Sequence, residues 1–540
     1  MAYLAAYGGP HSEQSRASVN GSAWAPLHQH LFLGLFLAAF GSNVGTWIQN
    51  VAAAWLMTSL APNPLLVGLV QALSGLPVFL FIIPAGALAD LIDRRRLLLF
   101  AEGWMLVTAA LLGVLTVEGL VTPWILLLLT FVLGIGAALN NPAWQASLPE
   151  LVKRDELSAA IALNSIQFNL ARAVGPAIGG VLVAAIGAGY AFLINAASFV
   201  GVTAVVFAWH RAEEHSTLPA ERLVGALKAG IRYTRYSPRL TAILLRTGLF
   251  TLGGSALPAL LPLIARYQLR IGATGYGELL GLFGVGGVIG GALVPQVRDL
   301  LSRDNTLIAS TIIYAVAMAG LALVRGNVSA FAAMFVSGSV WVVGMTSLNV
   351  SAQIAVPHWV TGRALAMYQF MVQGGIALGG LMWGAGASRS SISMTLNIAA
   401  LFMVFSLAAA LRYRLPESER FALEPAELMP APMIGGINSD VGPVMVSIEY
   451  EINPAQVSEF RQAMKALRTI RFRDGAVFWG LFSDSENPAW YVEYFMVESW
   501  FEHLRQHGRA TGEDSPAFER ARQFHLGPTP PTVSHQIAAG

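Results

Sequence analysis

The sequence predicts an all-α membrane protein of twelve helices arranged six plus six, followed by a small α+β domain of the ferredoxin-like kind. Three observations carry that prediction. Of the 540 residues, 55% are hydrophobic and 12% charged, with a mean hydropathy of +0.57. Soluble domains carry about 25% charged residues, so a chain this long and this apolar requires lipid as its solvent. Twelve runs approach the roughly 20 apolar residues that a membrane-crossing helix needs. After Arg412 the composition turns polar, and the hydrophobic period changes.

Residues 1–27 are polar and lack the basic start and short apolar stretch of a secretory signal, so they read as a cytoplasmic leader. A first bundle, 28–210, holds runs near 30–57, 64–88, 97–117, 122–145, 158–186 and 188–210. A polar interdomain loop, 211–240, separates it from a second bundle, 241–412. The runs there lie near 241–265, 276–297, 306–325, 328–352, 363–387 and 391–411. Gly- and Pro-containing turns such as Ala61-Pro62-Asn63-Pro64 and Gly187-Ala188-Gly189 divide neighbouring runs.

A linker rich in Pro, Glu, Met and Gly covers 413–441, and its composition predicts loose coupling between the membrane part and the C-terminal domain. In 442–538, Val444, Val446, Ile448 and Tyr450 alternate with polar residues as in a half-buried strand. Pro454 to Arg471 follows a helical period, 475–482 and 489–497 form a hairpin, helices follow near 498–508 and 515–525, and a strand covers 532–537. That order, β-α-β-β-α-β with a doubled second helix, is the ferredoxin-like one. Its expected core includes Val446, Ile448, Phe460, Leu467, Phe478, Leu481, Tyr494 and Leu504.

Basic residues fix the expected orientation. With both termini and the even-to-odd loops in the cytoplasm, about 17 Lys and Arg lie on that side, against about four opposite. The chain is therefore expected in the cytoplasmic (inner) membrane, multi-pass, with both termini cytoplasmic and the lipid bilayer as partner. No nucleic-acid partner is expected. There are no cysteines, which excludes disulfides, thiolate metal sites and cysteine nucleophiles. No Gly-x-x-x-x-Gly-Lys-Ser/Thr is present, so ATP does not drive any transport.

Between the second and third runs stands Gly86-Ala87-Leu88-Ala89-Asp90-Leu91-Ile92-Asp93-Arg94-Arg95-Arg96. Charges that close to lipid are costly unless they pair in a short loop at the membrane face. The Gly-x-Leu-Ala-Asp frame followed by a basic pair resembles the loop between helices 2 and 3 of the major facilitator superfamily. In that family a basic residue usually stands at the place of Leu91 and a glycine at that of Asp93. Asp-Arg-Arg is familiar in its drug- and siderophore-efflux branches. The resemblance implies a twelve-helix major facilitator fold and a gating loop of Gly86, Asp90, Asp93, Arg94 and Arg95.

The fifth run places an arginine near mid-bilayer. Ser165, Asn169, Arg172 and Pro176 share one helix face at i, i+4, i+7 and i+11, and a buried cation there is a functional candidate. Arg172 is read either as a clamp or gate or as a direct substrate contact. Asn169, Arg172, Gly175, Pro176, Gly179 and Gly180 resemble the antiporter motif of proton-coupled drug exporters. The same glycine pattern returns as Gly375, Gly379 and Gly380, an internal repeat. Spans 1, 4, 7 and 10 line the central cavity in the family, which implies Asn43, Gln49, Asn50 and Asn140 as cavity residues. Each is otherwise an interhelical hydrogen bond. Glu102 is read as reaching the cytoplasm or pairing with the arginine cluster.

In the tail, Ser499-Trp500-Phe501-Glu502-His503-Leu504-Arg505-Gln506-His507 looks like the C-terminal signature of the transmembrane secretion effector branch, which includes enterobactin exporters. The domain itself resembles the dimeric antibiotic biosynthesis monooxygenase fold, which implies a homodimer contact through its sheet. His503 and His507 sit at i, i+4 without a third ligand at metal spacing, so no metal and no cofactor is expected. Trp479, Trp490, Tyr491 and Trp500 either fill the core or line a pocket for an aromatic ligand. The resemblance implies a secondary exporter of a small amphiphilic molecule (drug, siderophore or secondary metabolite), with protons as the coupling ion. The alternatives are a membrane sensor whose tail reports or modifies the ligand, and an enzyme anchored by twelve helices.

Overall fold

The computed structural model describes residues 24–153, 156–209, 223–323, 326–416 and 441–538. Twelve helices there are long and apolar enough to cross a membrane. Spans 1 to 6 are His30–Leu60, Pro64–Leu91, Arg94–Val117, Pro123–Leu151, Leu157–Ile186 and Ala188–Ala208. Spans 7 to 12 are Pro238–Gln268, Ala273–Leu300, Arg303–Leu323, Asn327–Ile354, Thr361–Arg389 and Ile392–Arg412. Each predicted run falls on one of them.

Local chemistry sets several starts. Asn63, Thr122 and Ser237 each accept a hydrogen bond from a backbone N–H in the first turn of spans 2, 4 and 7, and proline follows each of them. Proline at the first helical position loses no intrahelical bond there. Asp93 caps span 3 in the same way, accepting from the Arg96 N–H at 2.9 Å. Gly187, with φ of +88°, makes the turn from span 5 to span 6.

The repeat is visible in the packing. A Cβ on Gly175 or Gly179 would press on Trp47 or Ile48 of span 1, and one on Gly180 would strike Gly277 of span 8. In the second half, Gly375 and Gly379 face Thr251 and Ser255 of span 7, and Gly380 faces Gly68 of span 2. Spans 5 and 11 thus play one role twice. Each uses two glycines to hold the first helix of its own half and a third to cross to the other half. In lipid, where burial supplies no drive between helices, such backbone approach is what joins them.

Residues 211–240 were expected to be a loop, and 223–236 instead form a helix, α1 (Leu223–Tyr236). Leu223, Leu227 and Ile231 recur at i, i+4, i+8, a period diluted by the charges around it. The tail is built from β1 (Val444–Glu451), α2 (Val457–Asp474), β2 (Phe478–Ser483), β3 (Trp490–Val497), α3 (Trp500–Arg509), α4 (Ser515–Arg522) and β4 (Thr532–Ile537). Its antiparallel sheet has the order β2-β3-β1-β4, as the ferredoxin-like arrangement requires. Val446, Ile448, Phe460 and Leu467 form its core, and Leu481 and Leu504 pack against them. Phe478, expected inside, is 46% exposed. It pairs with Met496 in β3, on the opposite face from buried Phe495 and Val497.

The tail is not loosely attached. Arg232 pairs with Glu502 at 3.0 Å and Arg239 with Glu513 at 2.7 Å. Tyr236 stacks on Phe472 at 5.4 Å, and the Arg509 guanidinium lies 4.7 Å from the centre of the Trp359 ring. The sheet and helices are thereby seated on α1, the start of span 7 and the turn before span 11.

Candidate functional site

A cavity of about 350 Å³ lies between the two six-helix halves. Spans 1 and 2 bring Trp47, Gln49, Asn50 and Gln71 to it, span 5 brings Arg172 and Pro176, and the second half adds Tyr276, Phe283, Tyr314, Trp341 and Gln373. The antiporter-like segment creates this geometry. Gly175 and Gly179 draw span 5 against span 1, so that Arg172 and Pro176, on the neighbouring face, point between the halves.

Arg172 lies over two aromatic faces, Trp47 at 6.0 Å in its own half and Phe283 at 5.9 Å in the other. Among the described residues no carboxylate lies within ion-pair distance of it. A cation against aromatic faces keeps its planar donor edge available to an incoming acceptor. Tyr314 gives its hydroxyl proton to the Gly254 carbonyl at 2.9 Å and packs on Trp341, fixing the opposite wall.

Of the four polar residues implied for the cavity, Gln49 and Asn50 line it. Gln49 is also fixed from behind, its Oε1 accepting from Asn195 Nδ2 at 2.5 Å. Asn43 and Asn140 lie outside this lining. Asn140 instead donates to Glu102 Oε1 at 2.6 Å. Glu102 is 3% exposed and so neither reaches the membrane face nor joins the arginines. Asn169 donates to the Ser165 carbonyl of its own helix at 2.8 Å.

The gating-loop residues are distributed differently. Arg94 pairs with Glu150 at the end of span 4, at 2.6 Å, and Arg95 donates to the Val206 and Phe207 carbonyls at the end of span 6. Asp93 serves as the cap of span 3. Gly86 and Asp90 fall in span 2, and their side chains lie outside the described residues. At the opposite end the halves are held together. Arg266 of span 7 donates to Thr58 Oγ1 at 2.8 Å and Ser59 Oγ at 2.6 Å, and its guanidinium covers Trp55. Trp55 stacks on Tyr276 at 5.9 Å. In the sequence Arg266 is only a charge near the end of a run, and no spacing in the chain marks it as a cross-half link.

Comparison with known proteins agrees with this architecture. A profile of the transmembrane secretion effector family matches residues 21–540. The staphyloferrin A transporter of Staphylococcus aureus is 26% identical over 67% of this chain and 91% of its own length. The enterobactin exporter EntS of Citrobacter koseri is 26% identical over 71% of this chain and 94% of its own. Among solved structures, a bacterial homologue of the lysosomal transporter Spinster, inward-facing and unoccupied, superposes with a TM-score of 0.56 at 14% identity. It covers 74% of this chain and 100% of that one. A bacterial homologue of ferroportin, also inward-facing, gives 0.55 at 15% identity, with 71% and 98% covered. The chain belongs to the transmembrane secretion effector family of major facilitator transporters, and it is a multi-pass membrane transporter, not an enzyme.

Proposed function

We propose that this protein is a secondary exporter that carries a small amphiphilic molecule out of the cytoplasm by alternating access, coupled to proton entry. The observation that supports it most is the central cavity, walled by both halves and lined by aromatic rings around Arg172. Rings accept an apolar body, and the guanidinium accepts an acidic or carbonyl oxygen. The names of the relatives make a siderophore the first substrate class to try. Lys and Arg distribution puts the Asp93 loop, both termini and the tail in the cytoplasm, so the end held by Arg266 is the outer one. The arrangement is then the inward-facing state, with its outer gate shut.

Everted membrane vesicles with an imposed pH gradient, acid inside, test this reading with a siderophore substrate. Substrate should accumulate inside and stop doing so when the gradient is collapsed. Accumulation that ignores the gradient would remove the proton. Arg172→Ala should abolish accumulation, and Arg172→Lys should restore little of it, because a point charge does not reproduce the planar fork. An active alanine variant would remove Arg172 from the mechanism.

The gating loop belongs to the same proposal. Asp90 and Arg94 secure the cytoplasmic end when the outer gate opens, with Arg94 leaving Glu150. Asp90→Asn should insert normally and lose efflux; wild-type rates in that variant would refute the assignment.

A further inference from the structure

Among the described residues, the carboxylates within the spans are accounted for with one exception. Glu150 pairs with Arg94, Asp304 pairs with Arg246 at 2.8 Å, and Glu278 and Asp299 are exposed. The exception is Glu102. It stands about 12 Å into span 3 at 1.5 Å per residue, and it is 3% exposed. Its Oε1 accepts from Asn140, while its Oε2 has no hydrogen-bond partner. An ionised carboxylate offers about four acceptor sites and at that depth needs a counter-charge. Among the described residues no cation lies within ion-pair distance of it. Span 6, packed against span 3, carries no charged residue, and its one titratable group, Tyr190, is exposed near the outer end. Span 4 brings only Glu150 and span 2 only Asp90, both at the cytoplasmic end. The arginines of span 3 itself lie about two turns before Glu102, with Arg94 on Glu150 and Arg95 on the carbonyls of span 6.

The fold does not ask for an acid at this place. Asp93 and Ser302 begin spans 3 and 9 in the same way, each side chain accepting from the backbone N–H three residues on. That register sets Glu102 opposite Thr311 in the repeat. Thr311 is buried as well, but it satisfies its hydroxyl on the Leu307 carbonyl of its own helix. Glu102 also sits beside the transport cavity. Met105, one turn on from Glu102, and Ala137, one turn before Asn140, both line it. A Cβ on Gly136 would press on Met105 and Trp104, and Trp104 donates to the Val132 carbonyl at 2.8 Å. Spans 3 and 4 have no slack between them at this level, so whatever displaces Met105 is felt at the Glu102–Asn140 pair.

We propose that Glu102 carries the coupling proton, with Asn140 as its positioning residue; this rests on the proton-coupled exporter reading above. In the inward-facing state the carboxyl holds the proton on Oε2, where an unpaired hydroxyl costs less than an unpaired charge. Substrate entering the cavity displaces Met105 and Ala137, and water reaches Oε2. The proton passes to that water and leaves to the cytoplasm. The carboxylate keeps the Asn140 hydrogen bond until the outward-facing state returns a proton from the other side.

Infrared difference spectra of the full chain in lipid nanodiscs, recorded as pH is raised, test the site without a substrate. The wild type should lose the carbonyl band of one buried protonated acid. Glu102→Gln should lack that band, and Asn140→Leu should move it to higher frequency, because the carbonyl loses its donor. If Glu102→Gln does not insert, the shift in Asn140→Leu decides. Enterobactin binding, followed by quenching of tryptophan fluorescence, tests the coupling. Binding that expels a proton weakens as pH falls, so the wild-type half-saturating concentration should rise by up to about tenfold per pH unit. Glu102→Gln should lose that rise, the titration of the ligand itself being common to both proteins. Where enterobactin does not bind, the infrared comparison alone decides. A titrating band that survives in Glu102→Gln, an unmoved band in Asn140→Leu, or equal pH dependence of binding would each overturn the proposal and leave the exporter reading standing. Wild-type accumulation in vesicles that ignores the pH gradient would remove the coupling and this role together.

Discussion

The seam between the two six-helix halves and the seam between the second half and the tail are made of opposite materials. Between the halves, the closest approaches are backbone to backbone, Gly68 facing Gly380 and Gly180 facing Gly277, with aromatic contacts such as Trp55 on Tyr276 and the Arg266 latch beside them. Between the second half and the tail, charged and aromatic side chains meet: Arg232 with Glu502, Arg239 with Glu513, and Arg509 on Trp359. The difference follows the solvent. Inside lipid an ion pair at a moving interface must be desolvated in both states, whereas glycine surfaces separate and rejoin without exposing charge. At the aqueous face, water receives the charges whenever the contact opens.

The largest expected effect comes from spoiling the glycine seam. A Cβ on Gly68 would collide with the Gly380 carbonyl oxygen, a contact that backbone on both sides cannot relieve by a rotamer change. Gly68→Val should therefore hold spans 2 and 11 apart, keep the outer end from closing, and cut transport at least about tenfold, as a shift of more than 1.4 kcal/mol in the gate would. Cross-linking between introduced cysteines at the outer ends of those spans should fall in parallel. Normal transport and normal cross-linking in this variant would show that the seam is not the gate.

An intermediate effect is expected at the tail seam. Burial tends to raise the Glu502 carboxyl, yet Arg509 and Arg232 outweigh it and hold it below its ordinary value of 4.5. That sign means the contact is fully present above about pH 4.5 and is lost as pH falls through the lowered value. Glu502→Ala removes the carboxylate that Arg232 and Arg509 share and should weaken docking by about 1–3 kcal/mol, within the range for charge-assisted hydrogen bonds. It should be seen as faster hydrogen exchange in α1 and as sensitivity to salt, which the Gly68 seam should not share. Equal salt dependence of both seams would break the comparison.

The same division explains what the sequence made legible. The spans, the glycine repeat and the strand order of the tail are periodic and local, and each is set by a solvent on one side, so a one-dimensional pattern records them. Arg172 stands out because a cation in an apolar run has few explanations. Contacts across long separations leave no such trace. Asn140 could not be assigned to Glu102 rather than the cavity, since both readings need one amide on span 4. Helix α1 is hidden because its apolar residues sit among charged ones, of which Arg232 pairs with the tail. The meeting of His503 and His535 is illegible because only the fold brings β4 beside α3.

The smallest effect separates the tail's two kinds of buried ionisable group. Burial lowers His503 from 6.5 to about 3, and lowers His535 in the same direction. Between those limits the unfolded chain takes up a proton that the folded tail refuses, so stability is complete above pH 6.5 and is lost as pH falls. Asp474 works the other way. Burial raises it from 3.8 to about 6 despite Arg473 beside it. The folded tail keeps that proton where the unfolded chain has released it, so this contribution is present below pH 3.8 and is lost as pH rises through 6. Over pH 4–6 the histidines and Asp474 oppose each other, at up to about 1.4 kcal/mol per pH unit for each proton, so the wild-type tail should depend on pH less steeply than the histidines alone would make it. His503→Gln removes one side of the balance. Its sheet amides, followed by hydrogen exchange in the full chain, should become better protected as pH is lowered from 6 to 4, relative to wild type and after correction for the intrinsic exchange rate. Asp474→Asn should become less protected. Comparing slopes, not absolute protection, cancels whatever each substitution does to packing. Parallel slopes in all three proteins would mean that neither group changes its proton affinity on folding.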